Sequence, residues 1–285
     1  MQLGWIGLGH MGAPMATRML DGGHDLIVYN WTYEKTKPLT DSGATAVKKA
    51  QDVVHQSDLI FVMLADGPAV ASVVEDIKPD LSGKTIVNLS TISPDETKEM
   101  VRLVEDSGGT YLESPVSGSV PVAKNGQLVL LAGGDADVVS TCQPYLDLLG
   151  KETIHFGPHG TGSAAKLAIN LLLAVVGQGV AETLLLGEGA GLDKEKLIQM
   201  ISASGMNTPL FHGKRDMYRN DDFPSAFPLR LMAKDLGLIT EEAKRQRLDL
   251  PLADAANASY TEAKPAYGDA DMAAIYLALQ KSASK

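Results

Sequence analysis

Cysteine is almost absent from this chain. Cys142 stands alone, so no intramolecular disulfide can form and no thiolate zinc site can be built. The six histidines show neither an HExxH pattern nor any clustered ligand spacing, and no metal is expected. Positive charge is short too: 25 Lys and Arg against 35 Asp and Glu give a formal net charge of -10. That balance argues against a surface built to coat nucleic acid, while leaving room for local basic pockets that bind anions. No charged-then-apolar leader is read ahead of the first apolar segment, and with one cysteine the expected location is a reducing cytoplasm. The longest apolar stretch, Leu171 to Leu186, contains Gln178 and Glu182 and falls short of the ~20 residues a bilayer needs. It reads as a buried helix, and no membrane partner is expected. Fixed-period repeats, low-complexity tracts and flexible linkers are missing as well. Neither Ser117 nor Cys142 has a local base or a nucleophile elbow around it, which argues against a hydrolase.

What is present is a globular composition, 45% apolar and 21% charged over 285 residues, enough for about two domains. Short apolar runs alternate with helical patterns through the first half. The runs are Leu3 to Leu8, "DLIVYN", "DLIFVMLA" and "KTIVNLS", followed by "TYLESPVSG", "QLVLLAGG" and "ETIHFG". Strands alternating with helices imply an α/β, doubly wound parallel sheet. From His159 the pattern is helical, with one long run from Ala164 to Gly189 and further segments around 194–202, 229–245, 252–264 and 271–281. The expected division is an α/β domain over 1–158 and an all-helical domain over 159–285, joined by the long helix.

The first strand leads into Gly7-Leu8-Gly9-His10-Met11-Gly12 and then into a helix from Pro14 to Leu20. A glycine run between strand and helix has a physical meaning that the same run elsewhere lacks. Gly7 permits the tight turn, Gly9 lets the backbone approach a pyrophosphate, and Gly12 lets the helix lie close to the strand. The helix N-terminus offers N–H donors to phosphate. The alternative is a glycine-rich turn with no ligand. About 20 residues on, where such a fold meets the adenosine ribose, stand Asn30, Trp31 and Thr32, with Lys35 and Lys37 beyond. An acid there would repel a 2′-phosphate; a neutral amide with lysines nearby favours NADP over NAD. Asn30 and Thr32 could equally cap the next helix.

Ser117, Gly118 and Ser119 follow a strand's carboxyl end, where hydroxyls and backbone N–H groups can form a concavity for a substrate carboxylate. The same residues also make an ordinary turn. Lys166 and Asn170 are four residues apart on one face of the long helix, positioned to converge on a small ligand; a snorkelling lysine would share that spacing. Downstream, Phe227-Pro228-Leu229 leads to Lys234 and Asp235, which interrupt an apolar face and are open to reading as a surface ion pair.

Together, "GLGHMGAPMA", "NLSTISP", "SPVSG", "GTGSAAKLAIN" and "LMAKDLGL" resemble the β-hydroxyacid dehydrogenase family, in the family's order and across essentially the whole chain. The resemblance implies a Rossmann domain followed by a helical domain. It makes Lys166 the catalytic lysine, Asn170 the substrate-orienting amide, and Ser117 with Gly118 the carboxylate turn, with Ser119 and Asp235 beside the substrate. It adds Leu64, Ala65, Thr91 and Lys234 to the cofactor residues Gly7 to Gly12, Asn30, Trp31, Thr32 and Lys35. Two positions depart from the family pattern. Trp31 stands where NADP-using members usually carry arginine, and Ser119 stands where a second glycine is common. Imine reductases share the architecture but usually replace the lysine, so Lys166 argues against that branch. The expectation is an NADPH-dependent reductase of a small anionic aldehyde or keto acid, reversible toward the hydroxy acid. Because neutral Lys166 must accept the proton in the oxidative direction, oxidation should favour alkaline pH unless the site lowers the lysine pKa. A module that binds NADP without turnover, acting as a redox sensor or scaffold, is the rival from another class, and a reductase of a non-carboxylate carbonyl such as a keto-phosphonate is the other alternative. The long helix, apolar around much of its circumference, calls for cover on several faces and so for a homodimer or homotetramer.

Overall fold

The computed structural model describes residues 2–283; Met1 and residues 284–285 lie outside the described residues. One compact unit runs to Leu167 and a second begins at Ala168.

The first unit is built on a six-stranded, all-parallel sheet in the order β3-β2-β1-β4-β5-β6. Its strands are β1 (Leu3–Ile6), β2 (Leu26–Tyr29), β3 (Thr45–Ala46), β4 (Leu59–Val62), β5 (Thr85–Asn88) and β6 (Thr110–Glu113). The helices α1 (Gly12–Asp21), α2 (Lys37–Thr40), α3 (Ala50–Gln56), α4 (Gly67–Ile77) and α5 (Pro94–Glu105) fall between them. Alternation along each strand sorts the core. Leu3, Trp5, Val28, Leu59, Phe61 and Val87 pack with Met15 and Met19 of α1 on one face. Ile27, Ile60, Val62 and Ile86 pack with Val53, Val70, Val74 and Val104 of α3, α4 and α5 on the other. Each such side chain, moved from water to core, contributes about 1.5–3 kcal/mol, and strands covered on both faces read as continuous apolar runs.

The stretch "TYLESPVSG" was expected to be a single strand, but it divides. Pro115 has no N–H to give a ladder and restricts the residue before it, so β6 stops at Glu113. The chain restarts as β7 (Val116–Ser117) in a second sheet of order β7-β8-β9, with β8 (Leu128–Ala132) and β9 (Gly150–His155). Here β7 runs antiparallel to β8, and β8 parallel to β9. Helices α6 (Val120–Lys124) and α7 (Ala136–Leu149) connect these strands.

The long helix is α8 (Thr161–Gly189), and its 29 residues make it long and apolar enough, by length and composition, to cross a membrane. The expectation that the apolar stretch Leu171 to Leu186 falls short of a bilayer's length is corrected by the extent of this helix, and the expectation that it is buried is corrected by its burial pattern. Buried positions Ser163, Leu167, Asn170, Ala174, Gly177, Ala181 and Leu184 form one stripe at helical spacing. Leu172 is 58% exposed and Leu186 78%. Two polar side chains of this helix are taken up within the protein: Asn170 is buried, and Glu188 accepts a hydrogen bond from Tyr276 Oη at 2.8 Å. Beyond Ala168 the second unit is helical, as expected. It comprises the rest of α8, α9 (Lys194–Ala203), α10 (Pro209–Asn220), α11 (Leu229–Arg245), α12 (Pro251–Tyr267) and α13 (Ile275–Ala283). Buried Asp271 accepts from the N–H groups of Ala226, Phe227 and Ala273 and pairs with Lys214 at 2.5 Å, fixing the segment that leads into α11.

Candidate active site

Register decides where the first unit's loops emerge. Ile6 is level with Tyr29 and with Val62, Val62 with Asn88, and Asn88 with Glu113. Five strands therefore end in line, and the segments that follow them lie side by side along one sheet edge. The chain order reverses between β1 and β4, and the crevice at such a reversal is where open α/β sheets bind ligands.

The glycine run occupies this crevice. Gly7 has φ +101°, and a Cβ on it would lie 2.2 Å from the carbonyl oxygen of Met63. A Cβ on Gly12 would lie 2.1 Å from the Gly7 carbonyl oxygen. Both positions therefore demand glycine, one for the turn and the other for helix-to-strand packing. No atom lies within 4 Å of a Cβ built on Gly9, so the backbone there faces open space. Helix α1 begins after Met11 without a side-chain cap; Ala13 N donates to the Gly9 carbonyl at 3.1 Å and Pro14 has no N–H, which leaves the N–H groups of Met11 and Gly12 at the turn. A cradle with this opening and these donors fits a dinucleotide pyrophosphate.

Neighbouring edge segments are tied to one another. Asn30 Oδ1 accepts from Leu8 N at 2.9 Å, while Asn30 Nδ2 donates to the Thr32 carbonyl at 2.9 Å. The Asn30 side chain thus braces the glycine loop against the end of β2, and Thr32 makes no side-chain cap. Ser90 Oγ accepts from Leu64 N at 2.9 Å, joining the ends of β4 and β5. Leu64, Ala65 and Thr91 lie in the segments that follow those two strands. Trp31, 60% exposed, and Lys35 in the turn after β2 stand at the outer rim.

The Ser117-Gly118-Ser119 turn is not at the end of a strand of the large sheet. It closes β7 of the second sheet, with Gly118 at φ +146° and Ser119 starting α6 without a side-chain cap bond. Lys166 lies inside the first turns of α8 and is only 8% exposed. Asn170 is one turn further along the same helix and 1% exposed. In the helical unit, Asn170 Nδ2 donates to Asp235 Oδ2 at 2.7 Å, and Lys234 Nζ pairs with Asp235 Oδ1 at 2.8 Å. Asp235 is 2% exposed, so it is no surface partner. A buried carboxylate that holds a buried amide fixes which way that amide faces.

Sequence reasoning did not single out Ser90, Glu113 or Asp271. Ser90 carries a faint signal as a hydroxyl just past a strand end. Asp271 carries only the signal of an aspartate capping the turn that follows it, through Ala273 N, and Glu113 carries none, because its side-chain donors are remote in the chain. Among the described residues no three His, Cys, Asp or Glu side chains cluster as a metal site.

Comparison with known proteins assigns both parts of the chain. Residues 2–157 match the NAD binding domain of 6-phosphogluconate dehydrogenase. Residues 160–279 match the NAD-binding domain of NADP-dependent 3-hydroxyisobutyrate dehydrogenase. The chain is 34% identical to glyoxylate/succinic semialdehyde reductase 2 of Arabidopsis thaliana, over 99% of this chain and 80% of that one. It is 38% identical to 2-hydroxy-3-oxopropionate reductase of Escherichia coli K12, over 88% of this chain and 87% of that one. Among solved structures, the 3-hydroxyisobutyrate dehydrogenase of Mycobacterium tuberculosis with L-serine superposes with a TM-score of 0.88 at 28% identity, over 98% of this chain and 99% of the other. With a dinucleotide cradle in the first unit and the two family matches together spanning residues 2–279, the chain belongs to the β-hydroxyacid dehydrogenase family of nicotinamide-dependent oxidoreductases.

Proposed function

We propose that this protein is an NADPH-preferring reductase of a small anionic aldehyde or keto acid, reversible toward the hydroxy acid, with Lys166 as proton donor. The observation that carries this reading is the pair Lys166 and Asn170. They stand one turn apart on a largely apolar helix, and both are withdrawn from water. Burying an ammonium and an amide costs free energy unless they are matched to partners, and a snorkelling surface lysine would not be 8% exposed. A module that only bound the cofactor would have no use for the pair.

The bound nicotinamide supplies and recovers the hydride. Lys166 delivers a proton to the substrate oxygen as negative charge develops there, and its ammonium stabilises that charge. Asn170, oriented by Asp235, holds the carbonyl in line by hydrogen bonding. The Ser117-Gly118-Ser119 turn takes the substrate carboxylate. Lys234, Thr91, Leu64 and Ala65 belong with the cofactor, as do Trp31 and Lys35 around its adenosine end. The preference for NADPH rests on Asn30 standing where an acid would repel a 2′-phosphate. Semialdehydes are favoured as substrates because the relatives named above are reductases of glyoxylate, succinic semialdehyde and 2-hydroxy-3-oxopropionate. Exposed Ile169, Leu172 and Leu186 on α8 support a homodimer or homotetramer assembled through this helix, and the lone cysteine supports a cytoplasmic location.

The test is Lys166→Ala, assayed by NADPH absorbance with glyoxylate, succinic semialdehyde, tartronate semialdehyde and a keto-phosphonate. We expect kcat to fall by about two to four orders of magnitude while NADPH affinity, read from tryptophan fluorescence, is unchanged. Asn170→Ala should cost less, since the proton donor stays. Turnover of Lys166→Ala above about a tenth of wild type would refute the lysine's role.

A further inference from the structure

Glu113 is fully buried at the end of β6, and its carboxylate meets the start of α8. Oε1 accepts from the N–H of Gly160 and, at 3.1 Å, from that of Gly162. Oε2 accepts from Ser163 N at 3.1 Å and from Ser163 Oγ at 2.6 Å. Thr97 Oγ1, reaching over from α5, stands 2.8 Å from Ser163 Oγ and completes the chain. A side chain that accepts at four points and donates at none behaves as a carboxylate. The N–H groups it takes are those a helix start leaves without partners, and its charge lies at the positive end of the helix.

The backbone around this carboxylate is equally fixed. Glu113 exchanges two hydrogen bonds with Gly133 across the gap between the two sheets, at 3.3 and 3.0 Å. A Cβ on Gly133 would lie 2.1 Å from Glu113 Oε1, and one on Gly162 would lie 2.3 Å from the Leu131 carbonyl oxygen. The ends of β6 and β8 and the start of α8 therefore close on a single buried group. Ser163, bonded to it twice, is three residues before Lys166, one turn along the same helix.

We infer that Glu113 is a positioning residue for the reaction: by clamping the first turn of α8 to the sheet ends, it sets the place of Lys166 and hence of the proton that lysine delivers. This rests on Lys166 being the proton donor. A fold-only role would predict lost stability with unchanged chemistry in whatever protein stayed folded. The positioning role predicts loss in the chemical step, transmitted only through Lys166.

Glu113→Gln keeps the size but turns an N–H₂ toward donors, and Ser163→Ala removes one bond of the four, so it remains usable if the first variant folds poorly. Both would be measured in the full chain with the fastest of the semialdehydes above. For Glu113→Gln we expect unchanged NADPH binding, kcat lower by at least about tenfold, and a larger primary isotope effect with 4-deuterated NADPH as hydride transfer becomes rate-limiting. Placed in the Lys166→Ala background, Glu113→Gln should cost almost nothing further, because a residue acting through the lysine has no effect once the lysine is gone. Independently of turnover, reductive methylation of Lys166, followed by mass spectrometry, should quicken several-fold in either variant. Unchanged kcat together with unchanged methylation would overturn the inference, as would full additivity with Lys166→Ala. If Lys166→Ala itself stays active, the lysine's proton role falls, and the methylation rate alone decides whether Glu113 holds that side chain in place.

Discussion

Asn30→Asp is the most informative single change at the cofactor end, because the structure separates what the side chain does for the loop from what its charge would do to a ligand. In the native protein Asn30 accepts from Leu8 N and donates to the Thr32 carbonyl. Aspartate keeps the first bond and loses the second, setting oxygen against oxygen. That bond is solvent-exposed, so the local cost is about 1 kcal/mol, a Tm decrease of a few degrees. The electrostatic effect is larger. A new carboxylate ~5 Å from a 2′-phosphate, at an effective dielectric of ~20–40, opposes it by roughly 1.5–3 kcal/mol per unit charge, reduced by salt. Affinity for NADPH should thus fall by about 10- to 100-fold, with NADH affected by little more than the bracing loss. The control is Asn30→Ala, which removes both bonds without adding charge and should weaken NADPH and NADH alike. Kd values come from tryptophan fluorescence, which reports on Trp31 at the rim and on Trp5, whose indole N–H donates to the Gly7 carbonyl at 2.9 Å. If Asn30→Asp weakens the two cofactors by the same factor, or the wild type already prefers NADH by about tenfold, residue 30 does not select against charge and the argument for NADPH fails.

Other changes test the packing. Ser114 Oγ is buried without a hydrogen-bond partner among the described residues, so Ser114→Ala should raise stability by about 0.5–2 kcal/mol; a loss above ~1 kcal/mol in a urea titration would mean the hydroxyl is bonded. Burial pushes the Cys142 thiol from its ordinary 9.0 to about 11. The unfolded thiol therefore ionises first, the unfolded chain binds fewer protons between pH 9 and 11, and stability falls with rising pH in that window by at most ~1.4 kcal/mol per unit. Cys142→Ser should show a shallower decline over the same range, and native Cys142 should resist a thiol reagent until the protein unfolds. Equal slopes for the two proteins would sink that assignment. Light scattering at micromolar concentration checks the assembly: a monomer would remove the reading of Leu172 and Leu186 as interface residues.

The alternation of apolar runs and helices in the first half was legible because buried parallel strands leave an unmistakable local pattern. The glycine run was legible for a related reason: its steric demands fall on the glycines themselves. Elements with little local signal escaped. β3 is two residues long, and α10 buries only Phe211 and Tyr218 in an otherwise polar sequence. The break at Pro115 was readable in principle, yet the apolar residues on either side masked it. For α8, composition suggested a helix wanting cover all round, whereas burial follows one narrow stripe; the spacing of its small residues, Ala174, Gly177 and Ala181, was the better guide. Lys166, Asn170 and Asp235 could be named from their motifs, but the bond between Asn170 and Asp235 could not be seen in the sequence. Glu113 was invisible as an anchor because its donors lie 47 to 50 residues further on, beyond the reach of any pattern of neighbours.

Asp271 bears on the order in which the chain can become itself during synthesis. It arrives 57 residues after Lys214 and 45 after Ala226, and until it does, a lysine and two backbone N–H groups of the helical unit have only water to bond. The sheet-bearing unit, complete by Leu167, lies ahead of that stretch and can begin to settle while the ribosome is still reading the helices. The helical unit has no such head start. Its five helices from α8 to α12 all leave the ribosome before Asp271, so a ribosome stalled before that codon would hold a finished sheet unit tethered to a helical one still without its buried anchor.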